Sequence, residues 1–427
     1  MLFNWQTGNI YVLSNDVSLD MMAYCMNGAS FDAVVAHIAD DYDVLYDECE
    51  RDARAFFGEA IYQEPYDLKD WDSLEKGHAN KLAFPLRVEF ELTALCNWHC
   101  GFCYNVWKID PNLSDREVML KSKSLKNKNA SKADMFRMLD ECAANNVFVV
   151  RYSGGETMLN PDFFDVIEYG AKKRLYQVVF TNGHFLDREA VERLSRNNVR
   201  EILISLHGLE DTHNLLAKNK NAYRKATAAI ECCVENRISV VVESILVKDS
   251  IQDLPKIIDH LSHVGVTEWR IMRYVATGKN DEFFVVDEND TFEIMKLVDS
   301  YIQSNGIELH VGWPCSQRFC TSSSKQALSS DDPTLPLRRR QIVNHCEAGI
   351  AWCSVSFDGK LRICPHSDRY FGDATQPDGI GRNWQNMTDV VWDVVEKQGH
   401  CQECSQCAVL KACRGGCHLE SFLGVHD

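Results

Sequence analysis

Cysteine is the residue type whose spacing speaks first in this chain. Cys96, Cys100 and Cys103 stand in the run Leu95-Cys96-Asn97-Trp98-His99-Cys100-Gly101-Phe102-Cys103, a CxxxCxxC pattern just past a strand-like segment. Three thiolates on one short loop suit three irons of a cubane [4Fe–4S] cluster, because thiolate is the soft ligand such clusters prefer. Three ligands for four irons leave one iron without a protein partner, and an open metal position marks chemistry rather than scaffolding. A structural zinc site needs a fourth nearby ligand, and the local candidate, His99, lies inside the motif itself.

Three downstream segments fit a small ligand on that open iron. Arg151-Tyr152-Ser153-Gly154-Gly155-Glu156 ends a second strand-like run. Consecutive glycines let a backbone approach closely, and Glu156 can accept hydrogen bonds from an ammonium group. Val179-Phe180-Thr181-Asn182-Gly183 ends a third run and Ser205-Leu206-His207-Gly208 a fourth, offering short amide and hydroxyl side chains suited to a ribose. Ten further cysteines lie between Cys315 and Cys417, whereas Cys25, Cys49, Cys142, Cys232 and Cys233 are scattered. The scattered five read as small buried hydrophobes. Eighteen cysteines behind a start without an export signal do not read as a disulfide framework. Their uneven placement points to metal sites.

The elements that must carry these groups alternate. Leu86, Val88, Phe90 and Leu92 interleave with Arg87, Glu89, Glu91 and Thr93 as a first strand. Later strands are expected at 147–152, 177–180, 201–206, 239–246 and 268–273, with helical patterns between them. One helix start is well marked, with Asn160 as N-cap and Pro161 at the first helical position. Six βα units imply a parallel sheet and a partial (β/α)6 TIM-like barrel, with the cysteine loop at the C-terminal end of its first strand, where such folds place their active sites.

Ahead of the barrel, residues 1–62 read as a small separate unit, with a strand at Ile10–Leu13 and helices at Phe31–Ile38, after Ser30, and Glu48–Ile61. A polar connector covers 63–85, the barrel 86–311 and a cysteine-rich region 312–427. Length favours two or three domains, and 45% apolar with 25% charged residues is the balance of a globular protein. The chain has no apolar window of about 18 residues and no basic start followed by an apolar stretch, which argues against a membrane span and places it in the cytoplasm by default. A net charge of -17 repels phosphate backbones, so general nucleic-acid binding is disfavoured.

The cysteine pattern with Phe102 as its aromatic, followed by Gly154-Gly155-Glu156, resembles the radical S-adenosylmethionine (radical SAM) enzymes. In that family SAM chelates the unique iron. The resemblance gives Phe102 a place near adenine, gives Gly154, Gly155 and Glu156 the amino group, and gives Asn182 and Ser205 the ribose. His207 stands where that fourth-strand motif often carries an acid. The C-terminal region resembles a SPASM domain, through Cys346-x12-Gly359-x4-Cys364 and Cys404-x2-Cys407-x5-Cys413-x3-Cys417. By that resemblance a first auxiliary [4Fe–4S] cluster uses Cys346, Cys353, Cys364 and Cys417, and a second uses Cys404, Cys407 and Cys413. The family's usual last cysteine does not follow Cys417, so Cys401, His418, His426 or an open iron completes the second set. Cys315 and Cys320 are core residues or thiols near the substrate.

The N-terminal unit, including Asp40-Asp41-Tyr42-Asp43-Val44, resembles the winged-helix RiPP recognition element (RRE) related to PqqD, which binds a leader peptide as an added β-strand. Together these resemblances imply a maturase of ribosomally made peptides, of the streptide-type crosslinking or thioether-forming kind. It would use SAM and three [4Fe–4S] clusters, take electrons from a flavodoxin or ferredoxin, and install a C–C, ether or thioether crosslink. The alternatives are a non-crosslinking modifier (epimerase, splicease or sulfatase-maturing oxidase) and a non-catalytic iron–sulfur electron carrier or peptide-binding protein. No catalytic acid or base is identifiable from the sequence.

Overall fold

The structure, a computed structural model, describes residues 2–4, 9–11, 31–41, 45–47, 49–51, 82–106, 129–274, 284–313, 346–397 and 417. The chain divides into two compact units, Met1–Lys81 and Leu82–Asp427.

In the first unit β1 (Leu2–Asn4) pairs antiparallel with β2 (Asn9–Tyr11), Phe3 opposite Ile10. Helix α1 (Phe31–Asp41) runs three residues beyond the expected Ile38 and buries Val34, Val35 and Ile38. Those three share one helical stripe, and each contributes roughly 1.5–3 kcal/mol by leaving water. Cys49 is buried beside them and its thiol donates to the Val35 carbonyl. Ser30, Cys25, Tyr42–Val44 and most of the expected helix from Glu48 lie outside the described residues, as does the connector 63–81.

The second unit is built on a ten-stranded sheet in the order β12-β11-β10-β3-β4-β5-β6-β7-β8-β9. Its centre is the expected parallel series: β3 (Arg87–Glu91), β4 (Val149–Ser153), β5 (Gln177–Thr181), β6 (Val199–Ser205), β7 (Ser239–Leu246) and β8 (Glu268–Arg273). Helices α2 (Lys132–Ala144), α3 (Phe163–Lys172), α4 (Arg188–Arg196), α5 (Glu210–Leu216), α6 (Ala222–Glu235) and α7 (Leu254–Val264) connect those strands. Among the described residues the sheet does not close on itself. Beyond β8 the chain adds α8 (Glu288–Asn305) and the parallel strand β9 (His310–Gly312). On the other flank β10 (Trp352–Val355) pairs parallel to β3, and β11 (Lys360–Arg362) and β12 (Tyr370–Asp373) continue antiparallel before α9 (Gly379–Lys397). The described strands of the cysteine-rich region therefore extend the same sheet.

Strand alternation sorts the two faces. Val88, Phe90, Val150, Tyr152, Val179, Ile202, Ile204, Val240, Val242, Trp269 and Ile271 point into one core with helix residues such as Met138, Val166, Leu194, Ile230 and Leu261. The opposite face, free of helices among the described residues, carries Arg87, Glu89, Glu91, Arg151, Glu201, Glu243, Glu268 and Arg270, around an apolar patch of Val178, Leu203 and Val241. Local signals hold most helices in place. A Ser131–Asp134 capping box opens α2, while Pro255 in the first turn and Gly265 at φ 90° bound α7. The α3 start differs from expectation. Asn160 closes a 3-10 turn instead of capping the helix, because its Nδ2 donates across to Leu92 O at 2.6 Å and its Oδ1 accepts from Asp162 N at 2.8 Å; α3 then begins at Phe163.

Candidate functional site

The cysteine loop leaves β3 and is pinned from two sides. His99 N and Gly101 N donate to the carbonyls of Ala217 and Leu216, at 3.2 and 3.0 Å. Those oxygens belong to the end of α5, where helical carbonyls lack intrahelical partners. On the other side the loop lies against Gly154-Gly155-Glu156, with Gly155 N donating to Thr93 O and Glu156 N to Leu95 O, both at 2.7 Å. A Cβ on Gly155 would stand 2.0 Å from Leu95 O, and one on Gly154, whose φ is +135°, 2.5 Å from Thr93 O. The two glycines are therefore required by close backbone approach, as their pairing in the sequence suggests.

The three thiols crowd one another. Burial pushes Cys96 up to about 12, and Cys103 and Glu156 nearby add to the rise. Cys100 is pushed up in the same direction by burial and then by Cys103 and Cys96. Three buried thiolates so close repel, and an iron cluster is the kind of cation that would deprotonate and hold them. No three His, Cys, Asp or Glu side chains among the described residues gather round a single point as one metal ion requires. Trp98 Nε1 and Asn97 Nδ2 are buried donors without a partner, both inside this loop.

Glu156 is fully buried. Its Oε1 accepts from Thr181 Oγ1 at 2.8 Å and Met158 N at 3.2 Å, and its Oε2 from Asn182 N at 2.8 Å. Burial raises its carboxyl above the ordinary range against those donors. One lone-pair position on Oε2 stays open to a ligand. Asn182 is turned toward the loop: its Nδ2 donates to Asn97 Oδ1 at 2.8 Å and its Oδ1 accepts from His184 N at 3.0 Å. Phe102 is buried with Leu216, Val247 and Tyr274, its ring edge-on to His207 at 4.7 Å. His207 Nδ1 accepts from Ile245 N at 3.1 Å, and burial lowers this imidazole well below its usual range, so the ring is neutral. Ser205 is half-buried at the end of β6. Phe102, Gly154, Gly155, Glu156, Asn182 and the three cysteines thus meet around one loop, with Ser205 and His207 on its β6 side.

A second gathering lies in the C-terminal region. The Cys364 thiol is pushed well up by burial and then by Cys346 and Cys417, which places these three together. Cys353 is not among them. It occupies the β10 position opposite Val88, and strand alternation turns it into the packed core beside Cys142. It is fully buried there. Cys315, Cys320, Cys401, Cys404, Cys407, Cys413, His418 and His426 lie outside the described residues. The two gatherings are linked. Tyr104, next to Cys103, lies tilted against His366 with ring centroids 4.7 Å apart and donates to Glu91 Oε1 at 3.3 Å. Arg362, fully buried, pairs with Glu91 and donates to Pro365 O and Ser367 O at 3.2 and 3.1 Å, in the turn that follows Cys364.

Sequence reasoning passed over this link and the charged face of the sheet. The available signal was single charged residues at alternate positions inside otherwise apolar strands: Glu91, Arg151, Glu201, Glu243 and Arg270.

Residues 90–261 match the Radical SAM superfamily. A radical SAM domain of α/β type, a fold that binds SAM and a [4Fe–4S] cluster, therefore occupies the part of the chain that carries the site. Among curated relatives, the AdoMet-dependent heme synthase of Methanosarcina barkeri is 24% identical over 349 residues, covering 80% of this chain and 94% of that protein. The mycofactocin maturase MftC of Mycobacterium tuberculosis is 23% identical, with 79% of each covered. Among solved structures, Streptococcus suis SuiB bound to its precursor peptide SuiA matches with a TM-score of 0.65 at 18% identity, over 90% of this chain and 79% of that one. Native anSMEcpe with bound AdoMet matches at 0.57 and 17%, over 78% and 89%. At these identities the structural likenesses concern the fold. No helix among the described residues is long and apolar enough to cross a membrane.

Proposed function

We infer that this chain is a radical SAM peptide maturase that installs a crosslink (C–C, ether or thioether) in the core of a ribosomally made precursor. The observation that carries the reading is the clamp between the cysteine loop and Gly154-Gly155-Glu156, because an electron carrier has no need of a buried carboxylate fixed beside its cluster loop. The peptide substrate is supported by the relatives: a maturase and a structure holding a precursor peptide. The likeness to SuiB extends over 100% of this chain in one of its structures, whereas the match to the heme synthase covers 80%.

Cys96, Cys100 and Cys103 would hold the SAM cluster, and Glu156, Asn182, Ser205, Phe102 and the two glycines would hold SAM. When bound and reduced, SAM supplies a 5′-deoxyadenosyl radical that abstracts a hydrogen atom; the protein's task is aim and exclusion of water. Cys346, Cys364 and Cys417 would carry a first auxiliary cluster, and Cys404, Cys407 and Cys413, with Cys401, a second. Residues 1–62 would receive the leader peptide as an RRE does, and a flavodoxin or ferredoxin would supply electrons in the cytoplasm.

The test is anaerobic reconstitution followed by incubation with SAM, dithionite and a candidate precursor peptide. The expected result is 5′-deoxyadenosine, about twelve irons at four per cubane, and a peptide lighter by about two mass units. Absence of SAM cleavage refutes the reading. A modified peptide of unchanged mass selects an epimerase.

A further inference from the structure

Five carboxylates line the charged face of β3 to β8, and four of them are engaged. Glu89 accepts from Ser153 Oγ at 2.7 Å, Glu91 holds Arg362 and Tyr104, and Glu201 and Glu268 hold Arg270 at 3.4 and 2.7 Å. Glu243 on β7 is the exception. It is half-buried, and its side chain has no hydrogen bond to any described residue. Its register sets it beside Ser205 of β6 and Arg270 of β8, in the row at the C-terminal end of the sheet from which the cysteine loop also rises. The charged groups facing it are Arg270 from β8, Arg151 from β4, Glu89 from β3 and Glu201 from β6. Burial holds the Glu243 carboxyl up at about 7, against the pull of both arginines.

We propose that Glu243 takes up the proton that the peptide loses as its new bond forms, a role that rests on the peptide-maturase reading above. Joining a carbon of one residue to a carbon, oxygen or sulfur of another removes two hydrogens. One leaves as a hydrogen atom to the SAM-derived radical. The second divides: its electron passes to an oxidised iron–sulfur cluster on the C-terminal cysteines and its proton to the Glu243 carboxylate. Glu243 suits this task because it lies beside Ser205 in the sheet and keeps its carboxyl unbonded while its neighbours are tied to one another.

The experiment compares wild type, Glu243→Gln and Glu243→Asp, each given SAM, dithionite and the same deuterated candidate precursor peptide. The Gln variant is expected to keep deuterium transfer into 5′-deoxyadenosine while the doubly dehydrogenated peptide falls by about 10²–10⁴-fold, the span of general acid–base effects. The Asp variant restores part of the loss. Wild-type product formation rises with pH through neutrality, and the residual Gln activity does not. Product at the wild-type rate from the Gln variant overturns the assignment, as does loss of deuterium transfer together with product. If wild-type protein moves no peptide deuterium, the peptide-maturase reading falls first and takes the assignment with it. In a peptide-free arm, a carbodiimide with methylamine should label Glu243 in preference to Glu89, Glu91 and Glu201; an unlabelled Glu243 is inaccessible and equally overturns the proposal.

Discussion

Glu156 and Glu243 are both carboxyls raised by burial, but they occupy opposite situations. Glu156 is met by three donors, so its replacement by Ala leaves Asn182 N, Thr181 Oγ1 and Met158 N short of an acceptor. Each unsatisfied buried group costs about 1–3 kcal/mol. Glu156→Ala should therefore lower thermal stability and weaken SAM binding at least tenfold in calorimetry; unchanged affinity would favour the electron-carrier alternative. Glu243 gives a pH signature. Its folded value of about 7 lies above the ordinary 4.5, so its contribution to stability is complete below 4.5 and is lost as pH rises to 7 and beyond. Glu243→Gln should then be more stable than wild type at about pH 8 and not at about pH 5. The gain is about 1–3 kcal/mol after allowance for partial exposure, measured by urea unfolding at the two pH values. Glu156 was legible in the sequence because two glycines precede it. Glu243 was not, because one acid in a strand looks like a solvated position until pairing shows what surrounds it.

Among the elements, the six central strands were legible because the first alternates with period two and the others are short, largely apolar runs between helical patterns. Strands β9 to β12 were not, being three or four residues long and made by pairings far apart in sequence, as when Trp352 meets Arg87. Two substitutions test how the elements hold the site. Gly155→Ala drives a methyl into the Leu95 carbonyl, which the flanking hydrogen bonds do not let retreat. The expected cost is about 1–3 kcal/mol or more, with loss of iron from the Cys96 loop while far-UV circular dichroism is retained. The pair Cys353→Ala and Cys364→Ala separates strand core from metal ligand. Cys364→Ala should lose about four irons per chain, one cubane, whereas Cys353→Ala keeps them and loses only packing against Cys142. Equal iron loss in both would restore Cys353 to the ligand set. Spacing alone does not tell these two cysteines apart; the iron count does.

At the scale of the whole second unit, the question is whether the cysteine-rich region is an appendage or part of one cooperative fold. Trp384 Nε1 donates to Leu82 O at 2.8 Å, so α9 is tied to the chain just ahead of β3. Arg87 lies over the Trp352 ring at 4.5 Å, across the β3–β10 seam. The Arg362–Glu91 pair is fully buried on both sides and joins the Cys364 turn to the strand that launches the cysteine loop. Breaking such a pair from one side leaves a bare buried charge, at a cost of about 3–5 kcal/mol, while replacing both partners by apolar residues can be nearly neutral. Arg362→Leu should therefore destabilise the β3 end and the C-terminal strands together, giving one shifted unfolding transition for residues 82–427 rather than early melting of an independent tail. The double variant with Glu91→Leu should recover much of that loss. Hydrogen exchange followed by mass spectrometry reads the outcome directly. Protection lost in β10 to β12 alone, with β3 and β4 unchanged, would mean that the C-terminal strands unfold as a separate domain and that the link through Tyr104 and His366 does not couple the two cysteine groups.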